Sequence, residues 1–157
     1  MALKCLLLAN QLHFMKLKIK SKAPEFKLSD QDGKSHSLKD YKDKWVLLYF
    51  YPKDDTPGCT KEAESFRDHI RAFEGKNAVI LGVSFDTQSS HQKFKEKYRL
   101  PFRLLIDPDK KIAKAYESSG LFFASRNTFV IGGDGRILKI YRGVNPSSHV
   151  KELIKSF

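Results

Sequence analysis

Trp45-Val46-Leu47-Leu48-Tyr49-Phe50-Tyr51-Pro52-Lys53-Asp54-Asp55-Thr56-Pro57-Gly58-Cys59-Thr60-Lys61-Glu62 is the stretch on which the reading of this chain turns. Its opening run, Trp45 to Tyr51, is apolar throughout, the mark of a strand buried on both faces. A polar turn follows, then a helix whose apolar positions Ala63, Phe66, Ile70 and Phe73 recur at three- and four-residue steps. Thr56 is placed to act as N-cap, and Pro57 suits the first helical position, where no amide hydrogen is needed. Cys59 therefore falls in the first helical turn, by unpaired N–H groups and the positive end of the helix dipole. Such a position favours thiolate, the reactive form of the side chain. An inert core cysteine would lie on the apolar stripe. Cys59 precedes it, between Gly58 and Thr60, as a redox nucleophile would.

Outward from this segment, composition narrows the classes. The chain has 157 residues and 41% apolar content, enough for one domain with a real core. No apolar run approaches the roughly 18 residues that span a bilayer, so no membrane partner is expected. Two cysteines, Cys5 and Cys59, exclude a disulfide-stapled scaffold and a cysteine-rich zinc site. The five histidines show no pair at helical ligand spacing, and His69 and His91 read as surface residues, so no metal site is expected. The net charge of +11 comes from dispersed lysines, as in Lys93-Phe94-Lys95-Glu96-Lys97, the solvated face of a helix. With no accompanying recognition module, nucleic acid is not an expected partner.

The first fifteen residues differ from the rest. They hold a short Cys5-Leu6-Leu7-Leu8-Ala9 run, and no acidic residue occurs before Glu25. The run is shorter than a secretory signal wants, and the stretch lacks the arginine and serine of a transit peptide. Residues 1–15 read as a loosely ordered extension, with Met15 a second candidate start, and residues 16–157 as a single domain. Within that domain Phe26 to Leu28 and Ser35 to Leu38 flank Asp30-Gln31-Asp32-Gly33 as a hairpin. The Cys59 helix runs to near Gly75. Ala78 to Phe85 is a second buried strand, Gln88 to Tyr98 a helix, Phe102 to Ile106 a strand and Lys110 to Tyr116 a short helix. Thr128 to Ile131 and Ile137 to Tyr141 form a second hairpin around Gly132-Gly133-Asp134-Gly135, and Ser148 to Phe157 closes as an amphipathic helix with Val150, Leu153 and Ile154 inward. This order predicts an α/β, thioredoxin-like fold: a mixed central sheet with helices on both faces and Cys59 at the C-terminal end of a central strand.

Pro52, Thr56 and Cys59, spaced Pro-x3-Thr-x2-Cys, resemble the peroxiredoxin active-site signature. The fuller string Phe50 to Thr60 resembles the bacterioferritin-comigratory-protein, or peroxiredoxin Q, group. Ala23-Pro24-Glu25-Phe26, Leu81-Gly82-Val83-Ser84 with Asp86, Leu100-Pro101-Phe102, Asp107-Pro108-Asp109 and Arg126-Asn127-Thr128-Phe129-Val130-Ile131 extend the similarity, in order, over about residues 16 to 157. The resemblance implies a thiol-dependent peroxidase that needs no metal, haem or flavin. It makes Cys59 the peroxidatic cysteine, oxidised to a sulfenic acid. Thr56 would orient the peroxide, Arg126 stabilise thiolate and leaving oxygen, and Pro52 shield the pocket. Glu62 would pair with Arg126 and hold it in place.

One departure alters the expected cycle. Many members carry a resolving cysteine five residues after the peroxidatic one, where this chain has Glu64, and the helix from Gln88 to Tyr98 holds none either. A one-cysteine variant is expected, recycled by thioredoxin, glutaredoxin or glutathione, working in the cytoplasm as a monomer or weak dimer. The loop between Tyr116 and Arg126 is also short for the group. Two rivals stay open at this level. A thioredoxin-type disulfide oxidoreductase would want Cys-x-x-Cys, which Cys59-Thr60-Lys61-Glu62 does not offer. A non-enzymatic peroxide sensor would use the same cysteine.

Overall fold

The apolar run at Trp45–Phe50 forms the central strand of a five-stranded sheet. The computed structural model describes residues 16–156, so the extension expected over residues 1–15, with Cys5, lies outside the described residues. A two-stranded antiparallel hairpin comes first, β1 (Lys27–Ser29) and β2 (Ser35–Ser37), followed by a 3-10 turn at Leu38–Tyr41. Strands β3 (Trp45–Phe50), β4 (Ala78–Ser84) and β5 (Arg103–Ile106) run parallel, while β6 (Asn127–Ile131) is antiparallel to β3 and β7 (Ile137–Tyr141) antiparallel to β6. The order β5-β4-β3-β6-β7 puts β3 in the middle. Five α-helices complete the described residues: α1 (Pro57–Asp68), α2 (Ile70–Glu74), α3 (Gln88–Tyr98), α4 (Lys111–Ala115) and α5 (His149–Lys155).

Alternation along β3 divides the core in two, because successive strand side chains point to opposite faces. Leu47, Tyr49 and Tyr51 meet Ala63 and Phe66 of α1, Phe73 of α2, Phe94 of α3, and Val150 and Leu153 of α5. Val46, Leu48 and Phe50 meet Phe26, Leu38, Ala113 of α4 and Tyr116. Both layers are apolar, which is why β3 reads as an unbroken hydrophobic run. Opposite Tyr49 in the register stands Gly82, where a Cβ would come within 2.9 Å of the Tyr49 ring. A larger residue there would push the ring off α1.

Two expectations are corrected here. The helix expected to run to Gly75 breaks at His69, whose ψ of 15° leaves the helical region and starts α2 in a new direction. That break keeps Phe66 and Phe73 on one core, their rings 5.8 Å apart. His91, read as a surface residue, is fully buried. Gln88 and Ser89 on the same turn of α3 are exposed, so the helix start is wet, but the His91 ring points inward to Asp54 and the Leu105 carbonyl.

A buried histidine also contributes to the pH dependence of stability. His149 at the start of α5 lies 2.8 Å from Thr128 Oγ1 and packs edge-on against Phe66 and Tyr141. Burial pushes its pKa down from 6.5 to about 4. The folded chain therefore holds it neutral while the unfolded chain protonates it below about 6.5, so this contribution is complete above that pH and is lost as pH falls towards 4. Urea midpoints of wild type and His149→Gln, measured from pH 7 to 4, should fall more steeply for wild type; parallel curves would show that His149 does not set the acid limb.

Candidate active site

Cys59 sits in the first turn of α1, where Pro57 occupies the start and Thr56 the N-cap position. The Thr56 backbone carbonyl accepts the first helical bond, from Thr60 N–H at 2.8 Å. Its side chain does not cap, contrary to expectation. The Thr56 hydroxyl turns back and donates to the Lys53 carbonyl at 2.8 Å, closing the turn that precedes the helix. Only the oxygen lone pairs of Thr56 then face outward, so it can accept a hydrogen bond but has no free proton to give. Pro52 is half-buried beside this turn. Cys59 itself is 1% exposed.

Arg126 arrives from the other side of the fold. It immediately precedes β6, which pairs antiparallel with β3, so the Phe50–Asn127 register delivers it to the end of β3 from which the Cys59 turn departs. Its carbonyl accepts from Val144 N–H at 3.0 Å, fixing the backbone. Arg126 Nη2 donates to Cys59 Sγ at 3.4 Å, and Nη1 donates to Glu62 Oε1 at 3.0 Å. One planar guanidinium thus bridges sulfur and carboxylate, which lie on the same helix face three residues apart. Its approach needs Gly58: a Cβ there would lie 3.1 Å from Arg126 Nη2 and 3.5 Å from Pro146 Cγ.

Glu62 is fully buried, and its second oxygen, Oε2, has no hydrogen-bond partner among the described residues; the same holds for the Tyr49 hydroxyl. Burial pushes the Glu62 carboxyl up to about 7, although Arg126 pulls the other way. For Arg126, burial works against the charge, but Glu62 and Cys59 outweigh it and hold the guanidinium above its ordinary range. A cation fixed 3.4 Å from a sulfur in a buried pocket is placed to offset negative charge that develops beside that sulfur.

Sequence reasoning missed the network beneath the Pro52–Thr56 turn. Asp54 accepts from Tyr51 Oη at 2.5 Å and Ser90 Oγ at 2.9 Å, and its Oδ2 lies 2.6 Å from His91 Nδ1. His91 Nε2 lies 2.9 Å from the Leu105 carbonyl, and Asp54 N–H donates to Asp86 Oδ2 at 2.9 Å. These bonds tie the turn to β3, α3 and β5. Asp54, Asp86 and His91 hold ligand-type atoms within 4.8 Å of one another, the spacing of a metal site. The facing atoms of Asp54 and Asp86 are already taken up by protein donors, including the Ser84 hydroxyl at 2.5 Å from Asp86, so hydrogen bonding alone accounts for the cluster. No local sequence signal pairs residues 54 and 91; only the parallel β3–β4 crossover joins them. Glu64, at the position where a resolving cysteine was sought, is partly exposed and bonded to Arg67.

Comparison with known proteins places this chain in a family. The AhpC/TSA family profile matches residues 19–140. Peroxiredoxin Bcp of Bacillus subtilis is 44% identical over 150 residues, covering 90% of this chain and 96% of that protein. The chloroplastic peroxiredoxin Q of Gentiana triflora is 42% identical over 146 residues, covering 90% of this chain and 67% of a longer relative. Among solved structures, a cysteine-to-serine mutant of Xylella fastidiosa PrxQ superposes with a TM-score of 0.86 at 32% identity, covering 90% of this chain and 96% of that one. The bacterioferritin comigratory protein of Xanthomonas campestris gives 0.82 at 28% identity, covering 89% and 94%.

Proposed function

The chain belongs to the AhpC/TSA family, within its Bcp and peroxiredoxin Q group of peroxiredoxins, and from that premise we propose that it reduces hydrogen peroxide and organic hydroperoxides in a one-cysteine cycle centred on Cys59. The observation that carries this reading is the Arg126 guanidinium, 3.4 Å from Cys59 Sγ and anchored at its far end by Glu62. The Cys59 thiolate attacks one peroxide oxygen, the O–O bond breaks, and the departing oxygen takes a proton to leave as water or an alcohol. The sulfur keeps one oxygen as sulfenic acid. Thr56, its own proton committed to Lys53, accepts from the peroxide O–H and turns the O–O bond towards the sulfur. Arg126 offsets the charge on the leaving oxygen, Glu62 keeps the guanidinium in plane, and Pro52 limits water at the turn. The Xanthomonas relative was solved as a trapped intermediate/ligand complex bearing on alkyl peroxide reduction, which supports carrying organic hydroperoxides into the proposal.

Return to thiol is the work of an external reductant: one thiol condenses with the sulfenic acid, releasing water, and a second displaces Cys59 from the mixed disulfide. Thioredoxin, glutaredoxin and glutathione all supply that chemistry, and a reducing compartment such as the cytoplasm keeps them charged. The protein then acts as a monomer or weak dimer. Peroxide consumption with each thiol in turn identifies the reductant, and steady-state turnover separates an enzyme from a sensor.

The absence of a thiol at Glu64 makes one outcome specific. After one equivalent of peroxide, non-reducing peptide mapping should find Cys59 as sulfenic acid, and excess peroxide should carry it on to sulfinic acid. A dominant Cys5–Cys59 crosslink within one chain would overturn the one-cysteine cycle.

A further inference from the structure

The turn between α4 and β6 projects Leu121, Phe122 and Phe123 into solvent, at 83%, 73% and 51% exposure. It is a closed turn. Ser119 and Ala124 form a bridge, Gly120 N–H donates to the Phe123 carbonyl at 2.9 Å, and Ser125 N–H donates to the Ser118 carbonyl at 2.7 Å. A Cβ at Gly120 would collide with the Phe123 carbonyl at 2.4 Å, so glycine is what allows the closure. Three adjacent large apolar side chains held outward on a bonded turn mark contact with something apolar.

The surroundings say which kind of partner. Lys110 Nζ reaches the Leu121 carbonyl at 3.5 Å, and Lys111 and Lys114 are exposed on the short helix leading into the turn. Of the nearby acids, Glu117 is already held by Arg142 at 2.7 Å and by Leu17 N–H, and Asp109 accepts from Lys111 N–H. The turn itself carries no charge, and the whole chain is at +11. Three side chains are little beside the roughly 800 Å² that each partner buries in a stable protein interface. An interfacial membrane site needs only a short apolar wedge ringed by cations.

We propose that the Leu121–Phe123 turn docks the protein on anionic lipid bilayers, its three side chains entering the headgroup boundary while Lys110, Lys111 and Lys114 meet the lipid phosphates. The absence of a spanning run does not bear on this mode, which needs no helix across the membrane. Because Asn127 pairs with Phe50, the docked turn sits at the end of the sheet from which the Cys59 turn also departs. The inference stands apart from the peroxidase reading, since its readout is binding.

The test is co-sedimentation of the full chain with vesicles of phosphatidylcholine alone and of phosphatidylcholine mixed with phosphatidylglycerol. Wild type should bind the mixed vesicles about tenfold better than the neutral ones, with the difference fading in high salt. The triple variant Leu121→Ser/Phe122→Ser/Phe123→Ser should lose about tenfold or more on the mixed vesicles, and Phe122→Ser alone part of it, with unfolding temperatures near wild type because the side chains are exposed. Lys110→Gln/Lys111→Gln/Lys114→Gln should erase the preference for anionic lipid. Three results would overturn the proposal: no sedimentation of wild type, equal sedimentation of wild type and the triple serine variant, or a self-association of wild type that the triple variant abolishes, which would give the turn to a second copy.

Discussion

Cys59→Ser is expected to bring peroxide reduction to the uncatalysed background, whatever reductant is supplied. In the proposed cycle the sulfur is both the nucleophile and the atom that carries oxygen between half-reactions, and serine replaces neither role. Its hydroxyl is far less acidic, so the helix start and Arg126 have little anion to stabilise, and an oxygen nucleophile would yield no reducible sulfenic acid. Folding should be little affected, because the exchange of sulfur for oxygen is small and Arg126 remains bonded to Glu62. The comparison variant is Cys5→Ser, expected to keep wild-type turnover with an external thiol. Both variants are read by peroxide consumption under saturating reductant. Activity surviving in Cys59→Ser would remove Cys59 from the centre of the mechanism, and activity lost in Cys5→Ser would overturn the one-cysteine cycle.

Arg126→Ala should slow the reaction with peroxide by about a hundredfold to a thousandfold, the usual loss on removing one fixed donor to developing charge. Arg126→Lys should recover only part of it, since a single ammonium cannot bridge Sγ and Glu62 as the guanidinium fork does. Glu62→Gln should cost less, because it loosens the arginine without removing its charge, and its cost should depend on pH. With the carboxyl at about 7, wild-type Glu62 is largely neutral below that pH, where glutamine imitates it. Above it Glu62 is a carboxylate that grips Arg126 harder, so the variant's deficit should widen with rising pH. Stopped-flow rates for Cys59 oxidation from pH 6 to pH 8 test this. A Glu62→Gln loss equal to that of Arg126→Ala at every pH would mean that Glu62 acts on the peroxide directly.

Much of this was legible in the chain itself, and the reasons are local. Trp45–Phe50 announces a doubly buried strand because both of its faces are covered by helices, so no polar residue interrupts it. Pro57 fixes a helix start on its own, and that start puts Cys59 in the first turn whatever surrounds it. The Glu62–Arg126 pair was reached through family resemblance, since residues 64 positions apart carry no periodic signal of contact. Other features were misread for the same reason. His91 looks like a surface histidine on a lysine-rich helix, but its ring is held by Asp54 from one strand's end and by the Leu105 carbonyl of another.

By itself, then, the sequence determined the order of strands and helices and the place of Cys59 at a helix start, because these follow from side-chain period and backbone restriction within a few residues. The tertiary structure alone decided that Thr56 turns its proton to Lys53, that Gly58 clears the way for Arg126, and that Asp54 is bound into a buried network. It also decided that Leu121, Phe122 and Phe123 face outward, where their apolar character read alone would have put them inside. Each of these depends on which distant backbone the β3–β4 and β3–β6 pairings bring within hydrogen-bonding or van der Waals reach, and distance along the chain does not encode that.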